Sequence, residues 1–200
     1  MPSAWRQVLP SYGQRADATR VRTAQSVRGT RARRSGRGSR PVRRLTLVRH
    51  GHAEARAEGG DFYRALSAQG RSETTRTAAA LSARLPAPDS MLASEALRTH
   101  ETAQLLSEHL KSGTVIKTSK ALYHASSSTL LDVIQGAPNS VQHLLLVGHN
   151  PGLSELALRW ARRFEGHADF GGFATAGWCS MTFDTEDWRV ISSPLDAVFG

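Results

Sequence analysis

Leu144-Leu-Leu-Val147 runs directly into Gly148-His149 and Asn150-Pro151, after which Leu153, Leu156, Ala157, Trp160 and Phe164 recur at i, i+3, i+4, i+7 and i+11. An uninterrupted four-residue apolar run reads as a strand covered on both faces, as parallel strands are. The period that follows is that of an amphipathic helix, with Asn150 placed as N-cap and Pro151 as its first residue. A strand buried on both sides and followed at once by a helix restricts the chain to folds in which helices cover both faces of a sheet.

The rest of the chain repeats the pattern. Leu45-Thr-Leu-Val48 reads as a strand that stops at Arg49-His50-Gly51, and a long connection without clear period runs from Gly51 to about Ser67. In a compact domain a loop of that length is functional or disordered. Ser67 is placed to cap a helix carrying Ala78, Leu81 and Leu85 on one face and closed by Pro86 and Pro88. Ser90-Met-Leu-Ala93 is a second strand, and Ser94 is the expected N-cap of a helix with Ala103, Leu106 and Leu110 on one stripe, ending near Gly113. Thr114 to Lys117 reads as a strand, and Leu130, Leu131 and Ile134 mark a short helix before Gly136. Trp178 to Phe183 and Trp188 to Ile191 read as two further strands in a hairpin. Alternating strands and helices predict an α/β fold, a three-layer α/β/α sandwich with a mostly parallel central sheet.

Charge divides the chain. The formal charge is +9, but residues 1–44 carry twelve Arg against the single acid Asp17, while residues 45–200 are mildly acidic. Between Arg28 and Arg44 only Ala32 and Val42 are apolar, too few to offset chain entropy, so residues 1–43 are expected to form a disordered basic tail ahead of a catalytic domain over 44–200. Trp5, Val8, Leu9, Tyr12 and Ala16 have helical spacing, but Pro10 interrupts it. Three readings of the tail stand together: a solvated segment, an organellar transit peptide, or a stretch upstream of a true start at Val42. An Arg/Gly/Ser run is only compositional evidence for nucleic-acid binding, which is expected of the tail alone if at all.

Other classes fall away. One cysteine, Cys179, makes neither an internal disulfide nor a structural zinc set, which fits a reducing compartment. No apolar run approaches the ~20 residues of a spanning helix. The expected location is the cytoplasm, or an organelle if the leader is a transit peptide; the sequence carries no signal for an oligomeric state.

In open α/β sheets ligands sit beyond the carboxyl ends of the strands. Two of the expected strands end there in chemistry: Arg49-His50-Gly51 and His149, the latter ahead of a helix N-terminus that favours an anion. Arg98 falls in the first turn of another helix. Two Arg, two His and a helix end describe a site for a dianion, most simply phosphate. Guanidiniums around His50 keep it neutral and nucleophilic near pH 7, able to attack phosphorus, while Arg49, Arg98 and His149 hold the equatorial oxygens. That arrangement needs no metal and no cofactor.

Arg49-His50-Gly51, Leu66-Ser-Ala-Gln-Gly70 preceded by Arg64, Ser94 with Leu97-Arg98 and Glu101-Thr-Ala103, and Gly148-His-Asn-Pro-Gly152 resemble, in order, the signature of the histidine phosphatase superfamily. More narrowly, the chain resembles short phosphohistidine phosphatases of the SixA type, over roughly Leu45 to Phe199. The resemblance implies a phosphoglycerate mutase-like fold, His50 as the phosphorylated nucleophile and Arg49, Arg98 and His149 as the phosphate pocket. It also implies substrate contacts from Gly51, Arg64 and Asn150, and a phosphorylated protein or small phosphorylated molecule as partner.

Mutase-like members carry a glutamate as proton donor after a middle strand, whereas Ala121-Leu-Tyr-His-Ala125 offers Tyr123 and His124 but no carboxylate. Imidazole leaves more easily than an alkoxide, so a missing acid favours phosphohistidine or an activated ester over a sugar phosphate. Glu54, Glu58 and Asp61 in the long loop remain candidate donors, and a phosphate-binding module with little turnover is the alternative outside catalysis. The bland reading holds elsewhere: His52 as a loop histidine, His100, His109, His124, His143 and His167 as surface or capping residues, Trp160 and Cys179 as core, and Thr175 as a turn residue or a phosphate contact.

Overall fold

Leu45 and Leu47 turn to one face of the first strand and Val48 to the other, and this alternation feeds two separate apolar clusters. A computed structural model describes residues 42–111, 113–164 and 170–200, so the basic tail and His167 lie outside the described residues. Six strands form one sheet: β1 (Arg43–Arg49), β2 (Ser90–Ser94), β3 (Ile116–Ser119), β4 (His143–Gly148), β5 (Trp178–Phe183) and β6 (Asp196–Phe199). Their order is β3-β2-β4-β1-β5-β6; the first four run parallel, and β5 and β6 are antiparallel to their neighbours.

Among the described residues four helices cover the sheet: α1 (Ala68–Arg84), α2 (Leu97–Leu110), α3 (Ser127–Gln135) and α4 (Gly152–Ala161). Ala78 and Leu81 of α1 and Ala103 and Leu106 of α2 pack on Val48, Met91, Leu145 and Val147. On the opposite face Leu130 and Ile134 of α3 and Leu153, Leu156 and Trp160 of α4 meet Leu45, Leu47, Leu144 and Leu146. Burying these side chains on both faces, at about 1.5–3 kcal/mol each, is what holds the three layers together.

The chain leaves β1 through α1 to reach β2 and leaves the adjacent β4 through α4, on the other face, to reach β5. The carboxyl ends of β1 and β4 therefore open a crevice at a topological switch point.

Several local expectations are corrected. Trp188 to Ile191 is no strand: Trp188–Val190 is a 3₁₀ turn in which Asp187 caps the Arg189 N–H, and the indole of Trp188 is wholly buried, donating to the Val141 carbonyl. A single buried anchor mimicked strand alternation, and the hairpin partner of β5 is β6 instead. β3 begins two residues later than expected because Val115 faces solvent, while Thr114 donates to the Pro88 carbonyl. Helix α2 ends at Leu110, where Lys111 turns left-handed, and α4 ends at Ala161, short of Phe164.

Two expected caps are also reassigned. Ser94 closes β2 while Ala96 is the N-cap of α2, and Asn150 precedes the Pro151 N-cap of α4, across a cis peptide bond. Ser67 does cap α1, accepting from Gly70. His143 is no surface residue: it is buried, its Nε2 2.9 Å from the Thr46 hydroxyl, which donates to Ser180. Cys179 and Trp160 lie in the core.

Candidate active site

The end of β1 sets His50. Its Nδ1 lies 2.8 Å from the Gly51 carbonyl, which only accepts, so Nδ1 carries the proton and Nε2 keeps its lone pair. The Nε–H of Arg98 points at that Nε2 from 3.3 Å. Gly51 admits no side chain: a Cβ there would stand 2.7 Å from both the Gly70 carbonyl and the Thr74 hydroxyl. Its N–H is taken by Thr102, so the structure gives Gly51 the task of orienting His50, with no free donor for substrate.

Burial is the largest influence on His50, with Arg98, Arg49 and Arg64 adding in the same direction, and its pKa falls to about 4. The sequence argument had only the guanidiniums; desolvation outweighs them. His50 is neutral at pH 7 by either cause.

β2 and β4 bring the second histidine. His149 is buried, its Nε2 2.9 Å from Ser94 Oγ and its Nδ1 3.5 Å from Arg98 Nη2, and its ring centroid lies 5.1 Å from that of His50. Burial, then His50 and Arg98, push its pKa down to about 3. Ser94 Oγ accepts from the Ala96 N–H and has a second lone pair for His149 Nε2. Arg98 Nη2 can only donate, so His149 Nδ1 is the acceptor on that side and Nε2 carries the proton.

Arg98, 1% exposed, reaches this point from the first turn of α2. Its Nη1 donates to the Asp61 carbonyl at 2.6 Å and its Nη2 to Asp61 Oδ2 at 2.9 Å. Asp61 Oδ2 also accepts from the Tyr123 hydroxyl at 2.7 Å and lies 3.5 Å from His124 Nε2, while Oδ1 takes Arg64 at 2.8 Å. Arg64 further holds the Glu54 carbonyl. Hydrogen bonds from Tyr123, Arg64 and Arg98 keep the Asp61 carboxyl well below the usual carboxylate range, which removes it as an acid at neutral pH. The long loop is thus tied down by Asp61, in a 3₁₀ turn over Asp61–Tyr63, and by a bridge between Ala53 and Leu66.

Arg49 and Asn150 share one acceptor, the Phe173 carbonyl, at 2.8 and 2.9 Å, and Asn150 Oδ1 receives the Ser154 hydroxyl. That brace uses Asn150 Oδ1 and one of its two amide protons. Arg49 keeps a buried Nε without a partner, a donor left over for an incoming anion. His52 is exposed and bonded to Ser67, and Thr175 bonds Glu73.

Sequence reasoning thus brought His50, Arg49, Arg98 and His149 to one crevice with Arg64 beside it, and missed the parts played by Ser94, Tyr123 and His124. His124 is no ordinary surface residue: its ring stacks on His149 at 5.0 Å, and Tyr123 meets both. Among the described residues no group of three or more His, Cys, Asp or Glu side chains is arranged to hold a metal ion. No helix among them is long and apolar enough to cross a membrane.

A neutral, half-buried histidine with an unprotonated Nε2, ringed by guanidiniums at a strand end, defines a site for moving a phosphoryl group. Residues 45–124 match the family model of the histidine phosphatase superfamily (branch 1). A SixA from Agrobacterium tumefaciens, assigned as a phosphohistidine phosphatase, is similar at 31% identity and a TM-score of 0.61, over 70% of this chain and 92% of that one. The chain belongs to the histidine phosphatase superfamily and is an enzyme of the phosphatase class.

Two further structures share the fold. One is an assigned SixA phosphohistidine phosphatase from Nakamurella multipartitia, at 20% identity and a TM-score of 0.67 over 78% of this chain and 95% of that one. The other is the protein histidine phosphatase SixA complexed with tungstate, at 19% identity and a TM-score of 0.62 over 78% and 94%. No curated protein sequence matches the chain.

Proposed function

We propose that the protein is a phosphohistidine phosphatase that transfers the phosphoryl group of a phosphorylated protein histidine to His50 and then to water. The single observation that carries this reading is the proton on His50 Nδ1, held by the Gly51 carbonyl, which leaves Nε2 as the attacking atom beside Arg98. Arg98 and Arg49 supply donors for the equatorial oxygens with His149 beside them, and positioning plus electrostatics is most of what phosphoryl transfer asks of a protein. Imidazole is a better leaving group than an alkoxide, and the Asp61 carboxyl at the mouth is held ionised and so gives no proton to a leaving group. The resemblance to SixA proteins supports the same substrate.

Acid-sensitive, alkali-stable phosphate trapped on His50 during turnover is the expected result, absent from His50→Ala. An active His50→Ala variant removes the mechanism. Protein phosphohistidine is expected to be turned over faster than alkyl phosphates; the reverse ranking makes the protein a small-phosphoester phosphatase through the same His50, and phosphate binding without turnover makes it a binding module.

A further inference from the structure

Substrate can reach His50 only from the open side of the crevice. His50 and His149 are largely buried, whereas Asp61 and His124 are exposed and Tyr123 half-buried. In-line displacement places the leaving atom on the side of phosphorus away from His50, and the body of the substrate must project toward solvent. The leaving atom therefore emerges among Asp61, Tyr123 and His124.

We propose that His124, stacked on His149 and held against Asp61, is the proton donor to the leaving group. This rests on the transfer through His50 proposed above, and it replaces the loop carboxylates as candidate donors. Its ring centroid lies 5.0 Å from that of His149 with the planes 29° apart, and its Nε2 stands 3.5 Å from Asp61 Oδ2. Its backbone sits at φ 48°, a left-handed conformation that a histidine adopts only at a cost and that something in the surroundings must hold.

The two neighbours at the mouth are unsuited. Three hydrogen-bond donors keep Asp61 ionised, and the Tyr123 hydroxyl, donated to Asp61, is pushed above the ordinary phenol value. Imidazole is the side-chain type built to give and regain a proton near neutrality. An ionised Asp61 beside it orients the ring, as a carboxylate does for a catalytic histidine elsewhere.

In the first step His50 Nε2 forms a bond to phosphorus and the bond from phosphorus to the leaving atom breaks. The electron pair goes to that atom, which takes the proton of His124 and departs neutral. In the second step neutral His124 accepts a proton from the attacking water, the new P–O bond forms, and the N–P pair returns to His50. Each residue ends as it began, and one water is consumed.

A series of phosphate monoesters tests this, because a good leaving group needs no proton. His124→Asn is the variant of choice, since asparagine tolerates the left-handed backbone. Expected is a fall in kcat/KM of about 100-fold for alkyl phosphates, with p-nitrophenyl phosphate changed by less than about 3-fold and the phosphoryl-His50 burst on that ester intact. An equal loss on both esters makes His124 a structural residue and overturns the proposal; so does no loss on either. The series is read on esters alone, so failure to turn over protein phosphohistidine would leave this result untouched and overturn the substrate assignment instead.

Discussion

Ser94 Oγ stands 2.9 Å from His149 Nε2 at the bottom of the crevice, both residues buried, on strands β2 and β4 that pair directly. A hydroxyl oxygen that accepts from both the Ala96 N–H and His149 Nε2 fixes the tautomer and the orientation of that ring. Ser94→Ala is expected to lower kcat on p-nitrophenyl phosphate about 10-fold, less than losing a direct donor. In a His149→Ala background the same change is expected to cost almost nothing, because its effect passes through His149. Additive losses in the double mutant would show that Ser94 acts on its own.

Arg98 spends every part of its guanidinium at the site: Nε toward His50, Nη1 and Nη2 toward Asp61, Nη2 also facing His149. A lysine keeps the charge and loses the planar fork. Arg98→Lys is expected to reduce kcat/KM by about 10²–10³-fold while circular dichroism stays that of the parent. A loss under 3-fold would mean that the fork does not touch the transition state.

Gly152 begins α4 where that helix meets the loop that carries His124. A Cβ there would lie 2.0 Å from the Ala125 carbonyl, backbone against backbone, so one segment must move. Gly152→Ala is expected to destabilise the protein by about 1–3 kcal/mol in urea unfolding and to disturb turnover as well. Unchanged stability would show that the loop yields freely.

Acid sensitivity has a defined origin in the sheet. Burial, then Arg44, hold the His143 pKa near 4 in the folded protein, against an ordinary 6.5. Between those values the unfolded chain binds a proton that the folded one refuses, so stability is full above about pH 6.5 and declines as pH falls toward 4. His143 alone accounts for about 2–3 kcal/mol of loss between pH 7 and 4.5. His50 and His149 push in the same direction. Urea midpoints of the parent and of His143→Gln at the two pH values check this: the variant is expected to lose less on acidification, and parallel losses would exonerate His143.

What could be read from the sequence was local. His50 and His149 sit at the ends of apolar runs, and Arg98 sits one residue into a helix, so short-range periodicity alone put them at the sheet's carboxyl edge. The three layers followed from the same runs. What stayed hidden was set by contacts between distant segments: Ser94 with His149 across 55 positions, Tyr123 with Asp61 across 62, Arg49 with the Phe173 carbonyl across 124. Ser94 looked like a cap because serine before a helix commonly is one, and the Trp188 anchor looked like a strand because a turn with one buried aromatic shares that local pattern. Asp61 was visible as an acid, but its partners, and hence its permanent ionisation, came only with the folding of the long loop.

The carboxylate of Asp61 already occupies donors of Arg98 and Arg64 that an incoming phosphoryl group would use. Inorganic phosphate released at the end of a cycle competes with this tethered counter-ion for the same guanidiniums, and the tether gives Asp61 a high effective concentration. The resting pocket therefore carries less net positive charge than its three guanidiniums alone would give it, and an anion that settles there must first displace Asp61.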